Sequence, residues 1–273
     1  MAAPLLKPVL VHSDVTFLST TKSEWIKFRT VRSTTLGIIV FTVLTIGLGV
    51  LITSLIHAHW NDMEPIRKLT FDPVSTSLGG TVLAQFAVGV IGSLFITSEY
   101  TSGAIRNTLS AVPRRGQLVL AKLAVLTVSM IVISEIVCIA AFLIGQQIYA
   151  GMIPASTDSL SNGADLRSVL LGGVYLTLLA MLGFGIGLVL RQSTSTISTF
   201  TAAVLVIPLI IFFLPQSLQN AISKYEPSAL GRAMMSVTPP DQMFGPWTAT
   251  ILLTVYVVVI VGFGTLIFQR RDA

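Results

Sequence analysis

A single acid interrupts the apolar stretch from residue 123 to residue 145: Glu135. At the centre of a bilayer such a carboxyl costs on the order of 3 kcal/mol, so it must face protein or water. Two readings fit it. Either it contacts a substrate or responds to protons in a polar cavity, or it is a protonated, hydrogen-bonded group that pairs helices. Gln85 lies in a similar setting, with an amide able to hydrogen-bond across helices. Other chemistry-bearing side chains are sparse. Cys138 is the only cysteine, so it has no partner thiol for a disulfide or a metal site and reads as a small buried hydrophobe. His12, His57 and His59 have no acid or cysteine at ligand spacing, so no metal is expected. With one titratable group at membrane depth, a membrane-embedded protease or lipid transferase lacks the convergent groups its chemistry needs. A Gly-x-x-x-x-Gly-Lys-Ser/Thr phosphate loop is absent as well, so the chain carries no ATPase of its own.

The elements that hold these residues follow from where charge is missing. Only 11% of the 273 residues are charged and 53% are hydrophobic, against about 25% charged in a soluble domain. Spanning a bilayer core takes roughly 20 helical residues. Charge-poor runs of that length lie at about 36–56, 78–98, 123–145, 168–190, 196–214 and 247–268. They are apolar throughout and twice as long as the alternating strands of a membrane barrel. The fold expected is therefore all-α, a polytopic membrane protein with six transmembrane helices in a domain covering 36–268. Residues 1–35 form a lead-in and 269–273 a tail. Charges in the first thirty residues break any secretory h-region, so no cleaved leader is expected.

With the N-terminus inside, 12 of the 17 Lys and Arg residues fall on the cytoplasmic side, which sets both termini there. The same scatter of cations at span ends argues against a nucleic-acid surface, despite a net charge of +5. Before the first span, Phe17, Thr21, Trp25 and Phe28 share a helical stripe among Lys22, Lys27, Arg29 and Arg32, with Glu24 and Arg32 intruding on it. That pattern predicts an amphipathic helix lying at the inner membrane surface among lipids. Gly183 and Gly187 mark a close helix contact in the fourth span, and Pro208 a kink in the fifth. The segment 215–246 holds Leu218, Ile222, Leu230, Met234 and Met235 between prolines, which predicts short helices at the outer surface, either a gate or a passive cap.

The most informative stretch outside the membrane is 99–122, between the second and third spans. It opens on Glu99 and Tyr100, continues through Gly103, Ile105, Arg106 and Leu109, and closes on Pro113, Arg114, Arg115 and Lys122. Ile105, Leu109 and Val112 recur at helical spacing, predicting a short helix over about Thr101–Val112 at the membrane base, of the kind that docks a partner.

This combination resembles the permease subunit of ABC-2 type ATP-binding-cassette exporters, in which an acid, an aromatic, a glycine and a basic residue follow the second span. The resemblance implies a separate ABC ATPase, two copies per complex, docked on Glu99, Tyr100, Gly103, Ile105, Arg106 and Leu109. In it Arg106 would pair with Glu99 or with the ATPase. It implies a second permease, identical or homologous, with ATP and Mg²⁺ held by the ATPase and no cofactor here. The substrate class would be a drug, a peptide or a lipid-like molecule, and the location a bacterial plasma membrane. Alternatives are a stand-alone secondary transporter or channel, for which 36–145 and 168–268 show no internal repeat, and a non-transporting sensor or immunity subunit on the same scaffold.

Overall fold

The computed structural model describes residues 16–69, 71–112, 114–150, 160–240 and 242–270. Lys7, His12, Asp14, Pro113, Asp158, Asp241 and Arg271 lie outside the described residues. Thr16 opens the first helix by accepting a hydrogen bond from the Ser19 N–H, satisfying one of the free donors of a helix start. Helix α1 (Phe17–Thr30) ends at Val31, whose extended backbone lets α2 (Arg32–Ala58) begin at once. Two short helices, α3 (Pro65–Leu69) and α4 (Pro73–Ser77), lead into α5 (Thr81–Thr101). Then come α6 (Ala104–Ala111), α7 (Arg115–Tyr149) and α8 (Gly163–Leu190). The next span is broken, with α9 (Ser193–Thr201), a π-helical turn (Ala202–Val206) and α10 (Ile207–Phe212). Short helices α11 (Gln216–Ile222) and α12 (Pro227–Met235) precede α13 (Pro246–Arg270). Among the described residues there is no strand, and six helices are long and apolar enough to cross a membrane.

Helix α8 is the centre of the bundle. Of its most apolar window 83% is buried, against 17% for α2, and it packs on α5, α7 and α13. Small residues set the closest approach. A Cβ on Gly92 would overlap the Ala180 carbonyl, and one on Gly183 would meet the Gly89 carbonyl. The Gly183/Gly187 pair thus lets α8 lie backbone to backbone on α5. On α2 only Thr34 and the stripe Phe41, Thr45, Gly49 and Thr53 are buried, leaving Leu36, Ile39, Val43 and Leu51 exposed. Exposed apolar side chains are the correct surface where the solvent is lipid.

In the fifth span the break has a local cause. Pro208 cannot donate to the carbonyl four residues earlier, that of Val204. The chain inserts a π-turn just before the proline, and the Ser228 hydroxyl from α12 donates to Val204 O at 3.1 Å. Helix α12 is no surface rider: Leu230, Met234 and Met235 are buried against the bundle. At the same end, Asp72 caps α4 and accepts from the Val237 N–H, while Arg167 donates to the carbonyls of Ser236 and Val237.

At the opposite end the last carbonyls of α13 meet arginines. Arg115 donates to Phe268 O and Gln269 O, and Arg191 donates to Ile267 O. These contacts, with the packing of α1 on α7, place α1 and the end of α13 on the same end of the bundle. That end also carries the described Lys and Arg residues assigned above to the inner side.

Candidate functional site at the base of the second span

The predicted amphipathic stripe on α1 resolves into two faces. Phe17, Leu18, Trp25 and Ile26 are exposed, whereas Thr20, Glu24 and Phe28 are buried. Glu24 does not interrupt the outward apolar face; it belongs to the inward one, together with Phe28, because it meets charge partners there. Glu24 and Lys27, one turn apart, bond each other at 2.8 Å. Lys27 also reaches Glu99 at 2.8 Å, in the last turn of α5. Lys122, two turns into α7 and 1% exposed, bonds Glu24 at 2.7 Å and Glu99 at 2.7 Å.

Two acids and two lysines thus form a closed, electrically neutral ring joining α1, α5 and α7. Glu99 Oε1 takes both lysines, and Glu99 Oε2 is buried with no hydrogen-bond partner among the described residues. Burial opposes the charge on Lys27, but its hydrogen bonds to Glu24 and Glu99 outweigh that and hold its ammonium above the ordinary lysine value. Aromatic rings frame the ring of charges. Trp25 stacks on Phe28, Phe28 meets Phe95 edge-on, and Phe95 lies 5.1 Å under the Lys122 ammonium.

Below the ring hangs α6, and Gly103 is its hinge: φ is 72°, left-handed, where a side chain would be strained. The turn ends α5 at Thr101 and starts α6 at Ala104, so the helix expected over Thr101–Val112 is shorter than the periodicity implied. Its apolar side faces inward: Ile105 and Val112 are buried and Leu109 packs partly against the core. Arg106, Asn107 and Ser110 face solvent. Arg106 makes no ion pair with Glu99, whose partners are the two lysines. Tyr100 lies 5.6 Å from the Arg191 guanidinium, across its ring.

The intramembrane candidates lie apart from this cluster. Gln85 accepts a 2.6 Å bond from the Tyr175 hydroxyl and donates to Val82 O, tying α5 to α8. The Glu135 carboxyl rests on the bare backbone of Gly173, where any Cβ would overlap it, and its Oε2 is buried without a partner among the described residues. No group of three potential metal ligands occurs among the described residues. Sequence reasoning missed Glu24 and Lys27 as site residues and took Lys122 as the basic residue that closes the motif at the start of the third span, not as a partner of Glu99. The available signal was the spacing of Glu24 and Lys27 next to a lysine inside an apolar helix.

A family model for ABC-2 family transporter proteins matches residues 20–209, from α1 through the fifth span. The chain belongs to the ABC-2 transporter family. The matched region contains all four residues of the ring. As an ABC-2 transporter the chain is a membrane transport component and not itself the catalytic subunit, and members of the family work with an ABC ATPase partner. No curated protein matches the chain.

Proposed function

We propose that this chain is the permease subunit of an ATP-driven exporter, with its cation-rich end in the cytoplasm and the ATPase docked on α6. The observation that carries this reading is the rooting of α6. Its solvent face offers Arg106, Asn107 and Ser110, its inner face is anchored by Ile105, and Gly103 joins it directly to the last turn of α5 beside the ring. A push on α6 is therefore delivered to three helices at once. Two ATPase copies would serve two permeases, alike or homologous, in a bacterial plasma membrane, and the cargo class is a drug, a peptide or a lipid-like molecule. Tyr100 and Leu109 stand behind the docking face, and Ile105 supports it from within. Glu135 is the acid available to a cargo or a proton at membrane depth, while Gln85 is already engaged.

Co-purification in mild detergent from the native membrane tests this. A soluble ATPase should accompany the wild type and be lost on Arg106→Glu, an exposed change that leaves the ring intact. If no ATPase accompanies the wild type while other complexes survive, the docking reading fails and a stand-alone transporter or channel becomes the one to examine.

A further inference from the structure

Beside the ring lies a cavity of about 340 Å³, lined on one wall by Leu94, Ser98 and Ser102, which follow one another at four-residue intervals down α5. This wall grades from apolar to polar along the span toward its end. Val31, 39% exposed, edges the same cavity, and Phe95 lines it at the level of the two lysines. The cavity therefore runs from hydrocarbon depth to headgroup depth, the polarity profile of an amphiphile standing along the membrane normal.

Hydrogen-bond accounting within the ring selects the chemistry of that amphiphile. Glu24 spends one oxygen on each lysine. Glu99 spends only Oε1, and Oε2 remains a buried acceptor without a donor. A buried carboxylate oxygen without a donor is costly, so a ligand supplying N–H groups there is favoured. A bare cation would unbalance a neutral ring; a zwitterion would not. Of the bonds Lys27 makes, the one to the Thr108 hydroxyl is the longest, at 3.5 Å, and this is the donor an anionic group can most easily take over.

We propose that this cavity seats a zwitterionic headgroup in which a primary ammonium is joined to a phosphate, as in phosphatidylethanolamine. The ammonium donates to Glu99 Oε2, the phosphate takes the outward side of Lys27, and the glycerol and upper acyl chains lie along Leu94 and Val31. The assignment does not rest on ATPase docking, although α6 contributes Ala104 and Thr108 to the cavity wall.

Native mass spectrometry of the full chain, purified in mild detergent and stripped of lipid, tests the assignment. The chain is titrated with dioleoylphosphatidylethanolamine, its N,N-dimethyl derivative and dioleoylphosphatidylcholine. Retention should fall with each loss of N–H, with the choline lipid about tenfold weaker, the effect of one charge-assisted hydrogen bond. Leu94→Trp, which fills the apolar stretch, should reduce the ethanolamine lipid to the choline level while melting as the wild type does. Equal retention of the ethanolamine and choline lipids by the wild type would overturn the proposal without any appeal to a variant. Soluble glycerophosphoethanolamine forms the second arm. If it displaces the lipid at comparable concentration, the amine seat stands and serves a free headgroup; if it does not, the lipid is the occupant.

Discussion

Lys122 is a lysine two turns into an apolar helix, and two carboxylates close on it. Removing it alone, as in Lys122→Met, leaves Glu24 and Glu99 sharing one lysine, and should destabilise the solubilised protein by about 3 kcal/mol or more. Adding Glu24→Gln restores neutrality, so the double variant should melt higher than the sum of the single losses predicts, read as non-additivity in thermal unfolding. Lys27 supplies a pH signature. Its folded value is raised above the ordinary 10.5. Its contribution is thus complete below the unfolded value and lost as pH climbs through the folded one. Melting temperature of the wild type should fall more steeply above about pH 10.5 than that of Lys27→Met. Of this ring the sequence showed Glu99 and Lys122 as members of a motif, but not that they touch. Contact between residues 24, 99 and 122 is set by how three helices pack, which the spacing within any one of them does not encode.

At the scale of elements, the six spans were legible because hydrocarbon thickness fixes their length, while their ends were not. The third was expected from residue 123, yet α7 begins at Arg115, because the Lys122 that seemed to close the apolar run is paired with two carboxylates and the helix passes through it. The fourth likewise starts early, at Gly163, carrying a buried Asp165 inside its first turn. The α5–α8 contact gives a sharp comparison. Gly92→Ala drives a methyl into the Ala180 carbonyl and should cost about 3 kcal/mol. Gly262→Ala, which meets nothing within 4 Å, should be neutral or stabilise by up to about 1 kcal/mol. Thermal unfolding of the two side by side reads the difference. The hinge before α6 follows the same logic: Gly103→Ala has room for its methyl but not the left-handed backbone, and should cost about 1 kcal/mol.

For the whole molecule, the ring, the α13 carboxyl end and α6 gather at one end, so the first and last helices converge on the face proposed to receive the ATPase. The exposed sides of α2, α10 and α13 stay apolar, as lipid or a second permease requires. Rigid coupling through the ring predicts that Glu24→Gln weakens ATP-driven transport more than it weakens ATPase co-purification, since α6 still presents Arg106 while its link to α1 is loosened. A transport assay in vesicles run alongside the pull-down measures both. This coupling was only half visible in the sequence. The docking stretch announced itself by its motif, whereas α1 looked like a membrane-surface helix with one misplaced acid, because the partners of Lys27 and Glu24 lie 72 and 98 positions further along the chain.

The bond from Ser228 to Val204 also bears on how the protein is made. The fifth span is synthesised and emerges ahead of α12, so it can enter the translocon with the Val204 carbonyl lacking its eventual donor. That span settles only when translation has delivered residue 228 and α12 has folded back onto it. A chain truncated between residues 215 and 227 should therefore hold its first four spans firmly and its fifth loosely, so that the fifth remains open to extraction.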